Sequence, residues 1–314
     1  LLKTLGQRFG RRFNWPSTID YQCFYIFMTL KGDIIMSRKK IPESDYEKIV
    51  DMYLRGYSSV KIGQLYNTSH KPVLSVLDKM GIPRNWNSLR KYNINEHYFD
   101  NIDTPNKAYI LGLLYADGYN NTSTNVIRLG LQEQDKKILE DIAKEVGYDA
   151  PLIFYEHSKE HEGWKDVYTL AIRSAHMSNV LNNLGMHKAK SLILEFPKWL
   201  DKNLYSHFIR GYFDGDGSVY CYEKKMNWNI SIVSTKNFCE FVKNIVENEL
   251  GIHVHVKLDG RRNDITSDIR IGGNRQVLRF LDWIYKDSDL RMERKYIKYQ
   301  QLLDYENINN SLVS

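Results

Sequence analysis

From Pro42 to Ile82 the apolar positions recur at helical spacing. Tyr46, Ile49, Val50, Tyr53 and Leu54 form a stripe at intervals of three and four that Gly56 stops. Ser58 or Ser59 can cap a short helix through Ile62 and Tyr66, and Asn67, Thr68 and Ser69 make a turn. A third helix then runs from Lys71 to Met80 and ends at Gly81, with Pro72 suited to its first turn. Beyond residue 104 helical and strand periods alternate. The pattern predicts strands at about 119–123 and 126–132, a helix at 135–146 and strands at 151–158 and 166–173. A helix at 175–184 completes the first set. The order then recurs as strands 218–224 and 228–234, helix 236–250, strands 252–259 and 266–272, and helix 275–286.

Each set is preceded by an apolar helical run, and the two runs are copies. Ile110-Leu111-Gly112-Leu113-Leu114-Tyr115-Ala116-Asp117-Gly118 returns 99 residues later as Ile209-Arg210-Gly211-Tyr212-Phe213-Asp214-Gly215-Asp216-Gly217. A repeat of this length implies two copies of one structural unit. Gly112 with Ala116, and Gly211 with Gly215, place small residues four apart on one helix face, where two backbones can approach closely. The two helices should therefore pack together and bring Asp117 and Asp216 side by side. Carboxylates at helix C-termini face the negative dipole end and repel each other, an arrangement that a divalent cation between them would make tolerable. An EF-hand reading of Asp214, Asp216 and Ser218 fails. The loop-glycine place holds Val219 and the closing-glutamate place holds Lys225.

These two motifs resemble those of the LAGLIDADG homing endonucleases in their single-chain, two-motif form, over roughly residues 104–305. The first copy matches the nine-letter motif at its third, fourth, seventh, eighth and ninth positions. The second keeps both glycines and the acidic eighth position. The resemblance implies an α+β fold of two pseudo-symmetric αββαββα units, 104–200 and 201–305, forming a DNA-binding β-saddle. The segment 36–90 looks like a helix-turn-helix module of the resolvase or transposase type. Ser69, His70 and Lys71 would open its recognition helix and reach base edges. The remaining boundaries are an N-terminal extension at 1–35, a linker at 91–103 and a tail at 306–314.

Composition sharpens this in one respect. Hydrophobic residues are 42% of the chain and charged ones 26%, a globular balance. The net charge of +6 is unevenly spread: residues 1–90 hold fifteen Lys/Arg against seven Asp/Glu, and the remainder holds 29 against 31. The N-terminal third is thus an electrostatic footprint for a polyanion. Cys23, Cys221 and Cys239 lie far apart, which suggests neither a disulfide framework nor a zinc site. No apolar run is long enough for a membrane span, and no signal peptide is expected. The reading is a protein of a bacterial or phage-infected cytoplasm, or of an organelle, and not a secreted one. Back-translated, Lys31-Gly32-Asp33 can encode a purine-rich ribosome-binding sequence just before Met36. Met36 is therefore expected to be the working start, with 1–35 an upstream reading frame or an exon fusion.

Alternation along the strands separates two faces. In 252–258 the aliphatics point one way and His253, His255 and Lys257 the other. Ser218, Tyr220, Tyr222 and Lys224 share a face, and Tyr119, Asn121 and Ser123 match them in the first unit, joined by Arg128, His157 and Lys165. Alternation alone describes a solvated sheet face. The family resemblance assigns these side chains to a DNA major groove. His253 and His255 could also ligate a metal, although no third ligand is apparent.

The resemblance further implies a Mg²⁺-dependent hydrolase, with Mn²⁺ able to substitute. Asp117 and Asp216 would hold the metal, and whether the position before the first aspartate also ligates is left open. Lys190, Lys295 and the water-organising Gln132 would complete the catalytic set, with Ser234 at the second unit's counterpart of Gln132. The implied partner is double-stranded DNA with a long, roughly palindromic target, bound by a monomer. An intron RNA maturase and a non-catalytic transcription regulator of the same fold are the alternatives. A maturase often tolerates loss of the motif acids and a regulator typically lacks them, so their presence here favours the nuclease without excluding a dual function. An intein would need Cys or Ser at its start and His-Asn at its end, and is set aside.

Overall fold

The computed structural model describes residues 41–83, 91–159, 161–258 and 266–313. The expected extension 1–35 and start at Met36 lie outside these residues. Contacts divide the chain into 1–91 and 92–314.

Within the first division three helices form where the periodicity places them: α1 (Tyr46–Leu54), α2 (Ser59–Leu65) and α3 (His70–Lys79). Ser58 caps α2, its side chain accepting from Lys61 N at 3.1 Å. Ile49, Tyr53, Ile62, Val73, Val76 and Leu77 are buried together as a small core. Gly63 matters here. A Cβ at this position would lie 2.9 Å from the backbone oxygens of Thr68 and Ser69, so only glycine lets the turn fold back onto α2. Ser69 precedes α3, and His70 and Lys71 open it with exposed side chains.

The second division contains two copies of one topology. The first copy has α4 (Pro105–Asp117), β1 (Gly118–Asn121), β2 (Val126–Gln132), α5 (Lys136–Glu145), β3 (Ile153–Tyr155), β4 (Val167–Arg173) and α6 (Ala175–Asn183). The second has α7 (Tyr205–Asp216), β5 (Gly217–Tyr222), β6 (Asn227–Thr235), α8 (Lys236–Leu250), β7 (His255–Leu258), β8 (Thr266–Gly272) and α9 (Asn274–Tyr285). Each copy forms a four-stranded antiparallel sheet, ordered β1-β2-β4-β3 and β5-β6-β8-β7. The expected α+β class and αββαββα order are both present. One apolar cluster, from Phe99 and Leu139 to Phe280 and Leu302, runs through both copies.

Several boundaries differ from the expectations, each for a local reason. The strand that includes Ser123 ends at Asn121, because residues 122–125 turn and Asn125 adopts a left-handed φ of 55°. Lys224 likewise leaves its strand, lying in a 3-10 turn (Glu223–Lys225) that closes through Met226 at φ 45°. Of the stretch 91–103, read as a linker, residues 92–103 instead pack onto the first unit. Tyr98 and Phe99 are buried, Asn95 N donates to Val146 O at 3.0 Å, and Asn93 bonds Asp149 through N and Nδ2. Residues 306–313 of the expected tail continue a long helix, α10 (Glu293–Val313).

Candidate active site at the paired helix ends

Helices α4 and α7 cross where each contributes a glycine. A Cβ on Gly112 would overlap the carbonyl oxygen of Phe208 and lie 2.9 Å from Tyr212 N. One on Gly211 would overlap the carbonyl oxygen of Tyr109 and lie 2.8 Å from Leu113 N. The contact is reciprocal, which is what a pseudo-two-fold axis between the helices requires. One turn later a Cβ on Gly215 would strike Ala116 Cβ and come within 2.9 Å of Asp117 Oδ2. The two helices therefore end together, with Asp117 and Asp216 as their last residues.

Both aspartates keep exposed surface, yet the crowded protein around their carboxyl groups removes enough water to matter. Burial, then the neighbouring Asp216 charge, pushes Asp117 up to about 6; Lys295, Lys190 and Arg294 oppose the rise. Burial also raises Asp216, against lowering by the Tyr212 hydroxyl, Lys190 and Lys295. That hydroxyl lies 2.9 Å from Ser234 Oγ as well.

Lys190 and Lys295, expected beside the aspartates, are both buried there, and each caps its own unit's motif helix. Lys190 Nζ donates to Gly118 O at 2.6 Å and Ala116 O at 3.3 Å. Lys295 Nζ donates to Gly217 O and Phe213 O at 2.5 Å, Asp214 O at 2.7 Å and Gly215 O at 3.4 Å. An ammonium at a helix C-terminus satisfies orphan carbonyls and opposes the negative dipole end. Burial lowers both lysines, Lys295 to about 8, while the nearby aspartates raise them.

Gln132 ends β2, and its Oε1 accepts from Gln134 Nε2 at 3.0 Å and Lys165 Nζ at 3.1 Å. The expected counterpart, Ser234, is a correction. Gly118 pairs with Leu129 and Gly217 with Ile232, so the register carries Gln132 onto Thr235 and Ser234 onto Leu131. Ser234 is accordingly buried, as Leu131 is. Thr235 caps α8, donates to Leu194 O at 2.5 Å and is buried. The second unit thus has no solvent-reaching amide at this place.

The strand residues expected to face DNA fall partly into cross-sheet rows. Ser218 is registered with Ser231, Ser231 with Arg270, and Arg270 with His255. Tyr119 sits opposite Arg128, and both are exposed. Tyr222 and Lys257 are exposed, Tyr220 is half-buried, and Asn121 bonds the Tyr119 hydroxyl at 3.1 Å. His253 precedes β7 rather than lying in it, but its side chain is exposed. His157 lies in a 3-10 turn after β3 and Lys165 before β4. Sequence reasoning missed Ser231, Asp268 and Arg270, which are linked: Asp268 accepts from Ser231 Oγ at 2.5 Å and from Arg270 Nε at 2.6 Å. The alternation of β6 and β8 carried that signal.

Also missed was a buried polar hub at the second motif. Asp214 accepts from the Tyr109 hydroxyl at 2.8 Å, the Tyr285 hydroxyl at 2.5 Å and Met292 N at 2.7 Å. Fully buried Arg210 lies with its guanidinium 5.0 Å from the Tyr109 ring centre and donates to Leu290 O and Ile284 O. These two polar residues replace Tyr115 and Leu111 of the first copy, and the visible signal was their departure from its apolar pattern.

Two carboxylates at adjoining helix ends form a hard oxygen donor set that fits a divalent cation such as Mg²⁺, which takes one or two carboxylates and keeps several waters. The histidine pair does not gain a third ligand. His253 Nδ1 is 3.5 Å from Glu247 Oε1, but among the described residues three ligand atoms gather within 4.8 Å only at His97, Asp100 and His176.

Residues 203–285 match the family model of the LAGLIDADG-like domain. The matched residues lie within the second unit. The first unit repeats the topology of the second element for element. No curated protein matches the chain. Among solved structures it is similar to the homing endonuclease I-WcaI bound to its DNA recognition sequence, at 16% identity and a TM-score of 0.46, covering 69% of this chain and 96% of that one. It is also similar to the I-LtrWI LAGLIDADG homing endonuclease bound to target DNA, at 12% identity and a TM-score of 0.42, covering 68% and 92%. A third similarity is to the N-terminal LAGLIDADG domain of DUF199/WhiA, at 15% identity and a TM-score of 0.40, covering 64% and 92%.

Proposed function

We propose that the chain is a site-specific double-strand DNA endonuclease that hydrolyses phosphodiester bonds with a divalent metal. The observation that carries this reading is the pairing of Asp117 and Asp216 at the ends of two helices packed glycine against backbone. Packing that tight is costly to place under two like charges unless the charges have work to do. Asp117 and Asp216 would hold Mg²⁺ or Mn²⁺, each serving one strand. When bound, the cation would neutralise charge on the phosphate and make a water nucleophilic near neutral pH.

The remaining residues have distinct parts. Lys190 and Lys295 keep positive charge beside the carboxylates while fixing the helix ends. Gln132, held by Gln134 and Lys165, keeps its NH₂ group to orient a water in the first half-site. The polar sheet rows, including Ser218, Arg270, His255, Tyr119 and Arg128, would read base edges in the major groove. The exposed start of α3, with Ser69, His70 and Lys71, would contact DNA separately. Both motif copies lie in one chain, so a monomer supplies the whole pair.

The test is incubation with Mg²⁺ and a randomised duplex library, followed by sequencing of cut ends. A single long consensus at the cut sites supports the reading. Binding without cutting would favour a regulator, and binding only to a folded intron RNA would favour a maturase.

A further inference from the structure

Outside the motif helices, the segment before α4 and the start of α6 are joined by three side chains. His97 Nδ1 lies 2.7 Å from Asp100 Oδ2, and His176 Nε2 lies 2.6 Å from Asp100 Oδ1. The two imidazole rings stand 4.4 Å apart between centres. One ligand atom from each residue falls within 4.8 Å of the others.

The backbone fixes this arrangement from both sides. Residues 96–100 form a turn, with Asp100 N donating to His97 O at 3.1 Å, and Tyr98 and Phe99 buried between the two ligands anchor it. Ser174 caps α6 through Met177 N, takes Asn125 O with its own N–H and donates its hydroxyl to Glu96 Oε1 at 2.5 Å. That places His176 against the turn.

We propose that His97, Asp100 and His176 bind a transition-metal ion of the zinc class, which ties the entry of the first motif helix to α6. Two imidazoles and one carboxylate are the ligand set that zinc takes in three-ligand sites with a fourth, solvent position. The side chains are 72%, 35% and 41% exposed, which leaves room for that water. Zinc–ligand bonds of about 2.0–2.1 Å in a tetrahedron need ligand atoms about 3.3 Å apart. The two histidines approach different oxygens of Asp100, at 2.7 and 2.6 Å, so the carboxylate and the exposed imidazoles would shift by rotation about their side-chain bonds to reach that spacing. Each nitrogen that binds must also present a lone pair, so its proton moves to the other ring nitrogen or leaves to solvent. The site is separate from the paired aspartates. It lies before Pro105, and Asp117 closes the far end of the 13-residue helix α4, about 18 Å along its axis.

The test uses the full chain and zinc chloride in two measurements. Calorimetric titration should give one more high-affinity zinc equivalent in the wild type than in His176→Ala. The variant's residual affinity there should be at least about 10–100-fold lower, the loss that even an outer-shell partner causes. Crystals of the wild type soaked in zinc should show an anomalous peak between the three side chains at the zinc edge. The melting temperature should rise with zinc in the wild type more than in His176→Ala or His97→Ala. A peak only at Asp117 and Asp216, or the same zinc stoichiometry in wild type and His176→Ala, would overturn the proposal. The cluster would then be a histidine–aspartate hydrogen-bond clamp only.

Discussion

Gly112 and Gly211 occupy equivalent places at the crossing of two helices, each against the backbone of the other's helix. Alanine is the better helix former by about 1 kcal/mol, so Gly→Ala in an ordinary helix stabilises. Here the sign reverses. The added Cβ meets main-chain atoms that cannot swing aside, and the helices must separate.

Gly112→Ala or Gly211→Ala should therefore destabilise the protein by at least about 2–3 kcal/mol in denaturant unfolding. DNA cleavage should fall further than this loss of folded protein explains, because the carboxylates are spread apart. A neutral or stabilising effect would mean that the helix pair is looser than described.

The raised Asp117 carboxyl sets a pH dependence. Its value moves from 3.8 to about 6 in the folded chain, so the folded state binds the proton more tightly than the unfolded state does. That stabilising contribution is complete below about pH 4 and is lost as pH rises through about 6. In chelator at pH 7.5, Asp117→Asn should melt higher than the wild type, and the difference should shrink towards pH 4. A constant difference across that window would remove the electrostatic explanation. Protons also compete with the metal, so metal-dependent cleavage should fall as pH drops below about 6.

The two half-sites should not be equivalent. Gln132 reaches solvent beside Lys165, whereas Thr235, its registered counterpart, is buried and committed to capping α8. On a supercoiled plasmid carrying the target, nicked intermediate cut in one preferred strand should precede linear product. Gln132→Ala should slow one strand more than the other. Equal first cuts on both strands would contradict this.

Much of this architecture was legible because two periodicities dominate it. The change from 3.6 to 2 at Gly118 and at Gly217 marked both helix ends, and the 99-residue repeat put Asp117 and Asp216 together. What escaped was set by tertiary context. The α10 helix and the packing of 92–103 depend on surfaces supplied by the two units. Lys190 and Lys295 were legible as neighbours of the aspartates, but not as caps on backbone carbonyls, which have no side-chain signature. Ser234 took Gln132's place because each closed its predicted strand, 228–234 and 126–132; the second strand runs one residue further, to Thr235, and only the register shows which residues correspond.

The most direct measurement compares binding and cutting by Asp117→Asn, Asp216→Asn and wild type on the selected target. Asparagine keeps the size of the side chain and removes the charge that would hold the cation. In Ca²⁺ each variant should bind the target close to wild-type affinity. In Mg²⁺ double-strand cleavage should fall by at least about 10³, the order expected when a group acting mainly in the transition state is lost. Near-normal cleavage by either variant would contradict the account and leave the two aspartates as ordinary helix-end residues.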